Sequence, residues 1–390
     1  MDLKYLSLML SDPHVDDLKK MQYKYYPEAL KDMLDFLYSS SLAKELPLRD
    51  FSERPIVLRD CVSKIAPAAY KRLMTTSPTL APIDEAPFEE EIYSTLQIEN
   101  ISSSRESIRN ILGGAAPRDN DERRLLGLKL GLEFISDPSN DISEENIYRL
   151  YNKSIADELS DSNRLLPGGK YRHDAVFVVG GKVEHRGMMH EALPNAMKGL
   201  VAYANEDTGE NDLIKAAVLH FYLSYIHPYF DGNGRMARLL NIWHLVQRGY
   251  PAALLVSISS QINKTRSDYY KAFNLIEKNA AVSSRIDITP FVAYIVENVY
   301  NKAAWLPTAT VGNSEIFKRA VGAGKITLKE RELFEFVMAT YGNSEFSTKE
   351  LERDFGNAAY ATVRAFVMKF EEFGFLRATV YTNKKRYFVA

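Results

Sequence analysis

One short segment of the chain combines residue types that could handle a polyphosphate. Residues 225–240 read YIHPYFDGNGRMARLL, a glycine-containing loop between two apolar stretches with helical spacing. Gly232 and Gly234 leave the backbone open, so N–H groups at the start of the second helix can converge on an anion. Arg235 and Arg238 are three positions apart and therefore share one helix face, where each guanidinium can bind phosphate oxygens.

The same loop contains a candidate base and a candidate metal ligand. His227 titrates near neutral pH, so it could take the proton of an incoming hydroxyl group. Asp231 is the one carboxylate in the loop and suits Mg²⁺, and the side chain of Asn233 can donate an amide hydrogen bond. Together these residues predict nucleotidyl or phosphoryl transfer to a hydroxyl. The pattern differs from the GxxxxGK[ST] phosphate loop.

Composition excludes several other classes of protein. The 390 residues are 46% apolar and 26% charged, with a formal net charge of −2, which is typical of a globular protein with no general attraction to nucleic acid or anionic membranes. The single cysteine, Cys61, rules out an internal disulfide and a cysteine-based zinc site. The sequence has neither a secretory signal pattern nor an apolar run of membrane-spanning length, so we expect a cytoplasmic protein without a membrane partner.

The elements that must position the motif are mostly helical. Spacings of three and four between apolar residues predict helices over 30–46, 122–135, 143–159, 213–226 and 235–249. A β-branched run followed by Gly180-Gly181 predicts a β-hairpin over 175–185, which we interpret as a flap. Three helical patterns after residue 326 are followed by two short strands, which is the element order of a winged-helix domain.

At this point the sequence resembles a known family. HPYFDGNGRMAR, residues 227–238, matches the Fic signature HPFx[D/E]GNGRxxR at every polar position, with Tyr229 where phenylalanine is usual. The resemblance spans residues 85–300, and the stretch after the hairpin lacks the family's common Pro-Pro pair. It implies a mainly α fold: a Fic helical bundle with a β-hairpin flap, plus the small C-terminal winged-helix domain.

The resemblance also implies an activity and roles for residues. The usual reaction of the family is AMP transfer from ATP, with Mg²⁺, to a Ser, Thr or Tyr hydroxyl of a target protein. His227 would be the general base and Asp231 the Mg²⁺ ligand. Nucleotide would be bound by residues of the loop, the helix after it and a later tyrosine pair: Gly232, Asn233, Gly234, Arg235, Arg238, Tyr269 and Tyr270. The target segment would add a strand to the flap at Val176, Phe177, Val178 and Val179.

A second motif resembles the family's inhibitory helix. Thr95, Glu99 and Asn100 match the pattern [S/T]xxxE[G/N], and the first two share a helix face. The resemblance implies a salt bridge from Glu99 to Arg238. A carboxylate on that arginine excludes the γ-phosphate of ATP, so the enzyme would inhibit itself.

These observations divide the chain into four predicted segments: an N-terminal helical region (1–84), a Fic domain (85–304) with its inhibitory helix near 90–101, a linker (305–326) and a winged-helix-like domain (327–390). Because acidic residues balance the basic ones in the last segment, a protein-binding or dimerisation role is favoured over DNA. Self-modification is also consistent with the motif. Two alternatives stay open: transfer of another phosphate-containing group, and a DNA-binding regulator that senses nucleotide.

Overall fold

The computed structural model describes residues 3–50, 52–60, 64–74, 85–156, 159–160, 163–179, 183–302, 315–341, 345–381 and 384–389. Cys61, Gly180-Gly181 and residues 305–314 of the predicted linker lie outside this part of the chain. The protein is mainly α-helical, as predicted. None of the helices in the described ranges has the length and apolar character needed to cross a lipid bilayer.

The helices and strands follow one another in this order: α1 Leu3–Leu10, α2 Leu18–Lys24, α3 Pro27–Leu37, β1 Ala43–Arg49, β2 Pro55–Arg59, α4 Pro67–Met74, α5 Glu85–Ile98, α6 Arg105–Leu112, α7 Asn120–Ser136, α8 Glu144–Ser154, β3 Phe177–Val179, β4 Val183–Arg186, α9 Leu193–Asn205, α10 Asp212–Ile226, α11 Asn233–Gln247, α12 Ile258–Lys264, α13 Arg266–Ser283, β5 Ile286–Asp287, α14 Thr289–Tyr294, α15 Glu315–Gly322, α16 Leu328–Thr340, α17 Thr348–Phe355, α18 Tyr360–Glu372, β6 Leu376–Tyr381 and β7 Lys384–Val389. A π-helical segment, Ile295–Tyr300, continues α14.

The centre of the molecule is built around α10 and α11. Most residues of both helices are buried, and their apolar residues are spread over all faces rather than along one stripe. The surrounding helices α5 to α9 and α12 to α14 contribute to the same hydrophobic core. A helix buried on all faces holds its ends in fixed positions, and the loop between α10 and α11 is therefore rigidly placed.

The predicted helix over 30–46 is wrong beyond Leu37. There β1 forms an antiparallel pair with β2, and β2 pairs in parallel with β5. Serines at 39–41 interrupt the helix, and the Ser39 hydroxyl bonds to the Phe36 carbonyl. After them Leu46 and Leu48 alternate with exposed residues, a two-residue period that belongs to a strand. The N-terminal region is thus not purely helical.

The predicted hairpin is present as β3 and β4, which pair antiparallel with each other. They form a separate two-stranded sheet, so the hairpin has no larger sheet to join. The helix predicted over 122–135 is observed as α7, and the helix predicted over 143–159 begins close to the start of α8 but ends earlier, at Ser154. Ser143 caps α8 through a hydrogen bond from the backbone N–H of Asn146, as its capping signature indicates.

The C-terminal elements have the predicted order of three helices and a hairpin, α16 to α18 followed by β6 and β7. Their phenylalanine-rich core also includes Ala68 of α4. The guanidinium of Arg72, also on α4, lies over the ring of Phe336 at 5.5 Å. Helix α4 therefore packs against the C-terminal helices as well as against the central bundle.

Candidate active site

The candidate base sits at the end of α10 in an unusual backbone conformation. His227 has φ 54° and ψ 65°, the left-handed region, and its N–H caps the helix by bonding to the Leu223 carbonyl. The Nδ1 atom lies 3.2 Å from the carbonyl oxygen of Ser224. Because a carbonyl only accepts, Nδ1 carries the proton in this hydrogen bond and Nε2 carries the lone pair. The half-buried imidazole thus has the tautomer that a general base needs.

The loop after His227 is closed by its own side chains. Asn233 accepts from the N–H of Tyr229 at 2.9 Å and donates to the carbonyl of the same residue at 2.8 Å. Its side chain therefore holds the loop shape, a function that the sequence does not predict for it. The ring of Tyr229 is fully buried and stacks on Tyr151 at a centroid distance of 3.6 Å, which fits the predicted packing position.

The two glycines of the loop are there for different reasons. Gly232 has φ 80°, and a Cβ on it would lie 2.5 Å from a methyl group of Ile155. A Cβ on Gly234 would lie 2.8 Å from Glu99 Oε1. The absence of a side chain at Gly234 therefore lets an anionic oxygen approach the N-terminus of α11. There the first-turn N–H groups have no acceptor within the helix.

Glu99 contacts both arginines of the motif. Its Oε1 lies 2.6 Å from Arg238 NH2, and its Oε2 lies 3.0 Å from Arg235 Nε. Both guanidinium side chains are at most 2% exposed, against 22% for the Glu99 side chain. Arg238 also donates through Nε to the Thr95 hydroxyl at 2.7 Å. The sequence predicts the contact with Arg238 but not the contact with Arg235.

Helix α5 is firmly anchored upstream of Glu99. The carboxylate of Glu91 is buried at the start of α12, where it accepts from the Ser257 hydroxyl at 2.8 Å and from the backbone N–H and hydroxyl of Ser259. Burial raises the pKa of Glu91. On α6, Arg105 pairs with Glu90 at 2.7 Å. These contacts fix the part of α5 that carries Thr95 and Glu99.

The end of α5 is also attached to α13. Arg266 donates to the Gln97 carbonyl and to Asn100 Oδ1, each at 2.6 Å, and the Tyr270 hydroxyl donates to the Ile98 carbonyl at 3.1 Å. Asn100 adopts φ 58°, a conformation that asparagine tolerates better than most residues. The sequence motif does not reveal Arg266, because it lies far from α5 along the chain.

The two tyrosines predicted near the nucleoside differ in environment. Tyr269 is buried among aromatic rings, with its hydroxyl 3.1 Å from His220 Nε2. Tyr270 is 41% exposed and contacts α5. Of the pair, Tyr270 therefore borders the site, whereas Tyr269 is a core residue.

Asp231 is the most accessible polar side chain of the loop. It is 51% exposed, lies 3.7 Å from Arg235 and accepts from the N–H of Gly232 at 2.6 Å. The described residues contain no cluster of three or more His, Cys, Asp or Glu side chains that could hold a metal. A single exposed carboxylate fits Mg²⁺, which usually takes one or two protein ligands and completes its shell with phosphate oxygens and water.

The flap begins and ends beside His227. Val176 precedes β3 and packs against Gly187, which follows β4. Phe177 is 51% exposed, with Arg186 over its ring at 5.9 Å. The strands pair at Val178 and Val179, and the side chains of both residues lie outside the described atoms. The hairpin thus presents at least one exposed aromatic ring, and its base at Gly187 lies next to His227.

Charges on the C-terminal domain are largely paired. Lys369 of α18 bonds to Glu330 at 2.8 Å. In the terminal hairpin, Lys385 pairs with Glu371 at 2.7 Å and Arg386 with Glu350 at 3.0 Å. The adjacent basic residues Lys385 and Arg386 are thus partly neutralised by neighbouring carboxylates, which weakens the case for a DNA-binding face.

Comparison with known proteins identifies the domain that contains this site. The sequence model of the Fic/DOC family matches residues 141–245, a range that includes the whole loop and both of its flanking helices. Residues 141–245 are a Fic domain. Glu99 and α13 lie outside the matched range, so the Fic domain is held between segments that precede and follow it in the chain.

Curated relatives of the Fic domain protein carry names that state an activity. One is protein adenylyltransferase Fic of Drosophila ananassae, 25% identical over 239 residues, which are 59% of this chain and 44% of the relative. Another is protein adenylyltransferase fic-1 of Caenorhabditis elegans, 25% identical over 261 residues, 64% of this chain and 46% of the relative. The chain thus spans less than half of each of these relatives.

Solved structures with similar folds include a Fic family protein from Desulfovibrio desulfuricans G20. It is 20% identical, with a TM-score of 0.48, and the match covers 84% of this chain and 97% of that one. A fragment of C. elegans Fic-1 is 20% identical, with a TM-score of 0.46, covering 66% of this chain and 70% of the fragment.

Proposed function

We propose that this protein is a protein adenylyltransferase that moves AMP from ATP to a Ser, Thr or Tyr hydroxyl of a target protein, and that Glu99 inhibits it. The observation that carries the proposal is the position of the Glu99 carboxylate. It lies at the N-terminus of α11, next to Gly234 and paired with Arg235 and Arg238. Because the carboxylate is an anion held there by a helix N-terminus and two arginines, the same position can bind the phosphate groups of a nucleotide. The curated relatives named protein adenylyltransferases supply the reaction class.

In the proposed reaction His227 acts on the target hydroxyl. Its Nε2 takes the hydroxyl proton as the oxygen attacks the α-phosphorus of ATP. A bond forms between that oxygen and phosphorus, the bond from phosphorus to the bridging oxygen of the β-phosphate breaks, and pyrophosphate leaves. The hydrogen bond from Nδ1 to Ser224 fixes the tautomer and would stabilise the imidazolium that forms.

The α11 N-terminus would bind the phosphates. Its first-turn N–H groups and helix dipole favour negative charge, and Arg235 and Arg238 add two buried guanidinium groups. Asp231 would hold Mg²⁺, which when bound neutralises phosphate charge. The side chain of Asn233 would keep the loop in shape without touching the nucleotide.

Inhibition would arise because one carboxylate and one phosphate compete for the same guanidinium. While Glu99 contacts Arg238, the γ-phosphate of ATP cannot occupy that position, and the α-phosphate is not brought in line with the attacking oxygen. The anchors of α5 at Glu91 and at Arg266 keep the carboxylate in place. The inhibitory segment therefore belongs to the same chain and needs no second protein.

The proposal is tested by incubating the Glu99→Gly variant with α-³²P-ATP and Mg²⁺, alone and with cell lysate. Label on a protein supports it, and mass spectrometry of the labelled protein identifies the transferred group. A mass shift other than that of AMP would favour transfer of a different phosphate-containing group. Absence of label from both the variant and the lysate would contradict the proposal.

A further inference from the structure

A buried arginine joins the flap to the candidate base. Arg172 is 2% exposed, and its guanidinium is surrounded by backbone carbonyls rather than carboxylates. It donates from Nε to the His227 carbonyl at 2.7 Å, from NH1 to the Asp174 carbonyl at 2.6 Å, and from NH2 to the carbonyl of Met188. These three acceptors lie in different directions, which only the planar fork of arginine can reach together.

The three acceptors belong to three separate segments. Asp174 leads into the flap, Met188 follows the flap, and His227 ends α10. Backbone hydrogen bonds reinforce the junction, since the Arg172 N–H donates to Pro228 at 2.9 Å and the Met188 N–H donates to Ile226 at 3.1 Å. Both ends of the hairpin are therefore attached to the end of α10.

Gly187 occupies the space left at this junction. A Cβ at this position would lie 2.7 Å from a methyl group of Val176, 3.0 Å from Arg172 NH2 and 3.1 Å from His227 Cβ. Any larger residue must displace the flap strand, the guanidinium or the histidine. The junction beside the Cβ of His227 thus has no space for a further carbon atom at position 187.

The conformation of His227 needs such support. A non-glycine residue in the left-handed region is strained, and it persists only when surrounding contacts hold it. The hydrogen bond from Arg172 to the His227 carbonyl is one such contact. It acts on the backbone of the residue whose imidazole would accept the proton.

We propose that Arg172, with Gly187 beside it, is a positioning residue that fixes the distance between the flap and the His227 imidazole. This inference rests on the proposed function and on the expectation from the sequence that the flap holds the target segment with the reacting hydroxyl. Arg172 touches neither nucleotide nor target. It sets the distance between the base and the hydroxyl, so loss of Arg172 lowers the rate of transfer without weakening nucleotide binding at the α11 N-terminus.

The test compares Arg172→Lys and Gly187→Ala in the Glu99→Gly background, with Gly199→Ala as the matched control. Gly199 is helical, and a Cβ added to it would meet no atom within 4 Å other than the neighbouring residues and backbone of its own helix, so its substitution leaves the junction untouched. We expect both junction variants to slow label transfer at saturating ATP by roughly 10- to 100-fold, since misplacement by about 1 Å has effects of this size. The Kd for the Mg²⁺ complex of a non-hydrolysable ATP analogue should stay within about threefold, which separates loss of rate from loss of binding.

A second measurement does not depend on activity. Hydrogen exchange of backbone amides in residues 226–230 should be faster in both junction variants than in the control, because the carbonyls there lose their common donor. Unchanged transfer in the junction variants would overturn the inference, and so would a parallel loss of rate and nucleotide affinity. If the parent variant transfers no label, the proposed function fails. The hydrogen-exchange measurement then still tests whether Arg172 holds the backbone of His227, and unchanged exchange rates would overturn that role too.

Discussion

Substitution of Glu99 is the perturbation whose effect the structure defines best. The carboxylate makes two ion pairs, at 2.6 Å with Arg238 and 3.0 Å with Arg235. A hydrogen bond to a charged group contributes roughly 1.5–3 kcal/mol, so ATP that must displace one such contact binds about 10- to 100-fold more weakly in productive form. The two contacts share one carboxylate and are not additive. We therefore expect Glu99→Gly to raise the rate of AMP transfer by at least about tenfold.

The assay is label transfer from α-³²P-ATP at subsaturating nucleotide, with binding of a non-hydrolysable analogue measured by calorimetry. Glu99→Gln keeps the size of the side chain but removes its charge, and should give an intermediate rate. The control is Glu106→Gly, since this exposed glutamate in the first turn of α6 contacts neither motif arginine. Equal rates for wild type and Glu99→Gly would refute the inhibitory role. So would equal activation by the control substitution.

Three further predictions concern the loop and the core. His227→Ala in the Glu99→Gly background should abolish AMP transfer while leaving nucleotide affinity within about twofold, because the imidazole acts on the proton and not on the phosphates. Transfer of label by this variant would exclude His227 as the base. Gly232→Ala should lower nucleotide affinity by at least about tenfold, because a Cβ strains the left-handed backbone and would lie 2.5 Å from Ile155. Calorimetry with an ATP analogue measures this affinity, and an unchanged value would contradict the loop geometry. Burial lowers the pKa of His220 and of His244 to about 3, so the unfolded state binds more protons below pH 6.5 and the protein loses stability as the pH falls. Between pH 7 and pH 5, each histidine should lower the free energy of unfolding by about 2 kcal/mol. Denaturant titrations that give equal free energies of unfolding at pH 7 and pH 5 would contradict this prediction.

The sequence is most informative where one short segment contains all the parts of a site. Residues 227–238 carry their chemistry within twelve consecutive positions, so the motif predicts the helix ends and the placement of Arg238. The pairing of Glu99 with Arg238 that the structure shows is implied by the resemblance of the second motif to an inhibitory helix. Contacts that join distant segments are not accessible in the same way. Arg266 meets Asn100 and Arg172 meets His227 only because the fold brings them together, and nothing in their local spacing distinguishes them from surface arginines.

One local error and one unpredicted side-chain role have physical causes. Leucine and alanine favour a helix over residues 38–46, but the serines and the later two-residue alternation override that propensity. The resemblance implies that Asn233 lines the nucleotide site, and in the structure its side-chain amide bridges the backbone of Tyr229. A short polar side chain between two glycines can bond to its own loop or to a ligand, and sequence alone does not separate these outcomes.

The position of the transferred phosphorus tests the central claim most directly. The Glu99→Gly variant should be incubated with Mg²⁺ and either α-³²P-ATP or γ-³²P-ATP, in parallel with the same variant carrying His227→Ala. Phosphates bound at the α11 N-terminus beside a histidine base predict label on protein from α-³²P-ATP only, and none after loss of the imidazole. Protein label from γ-³²P-ATP, or label that survives the His227 substitution, would contradict this account.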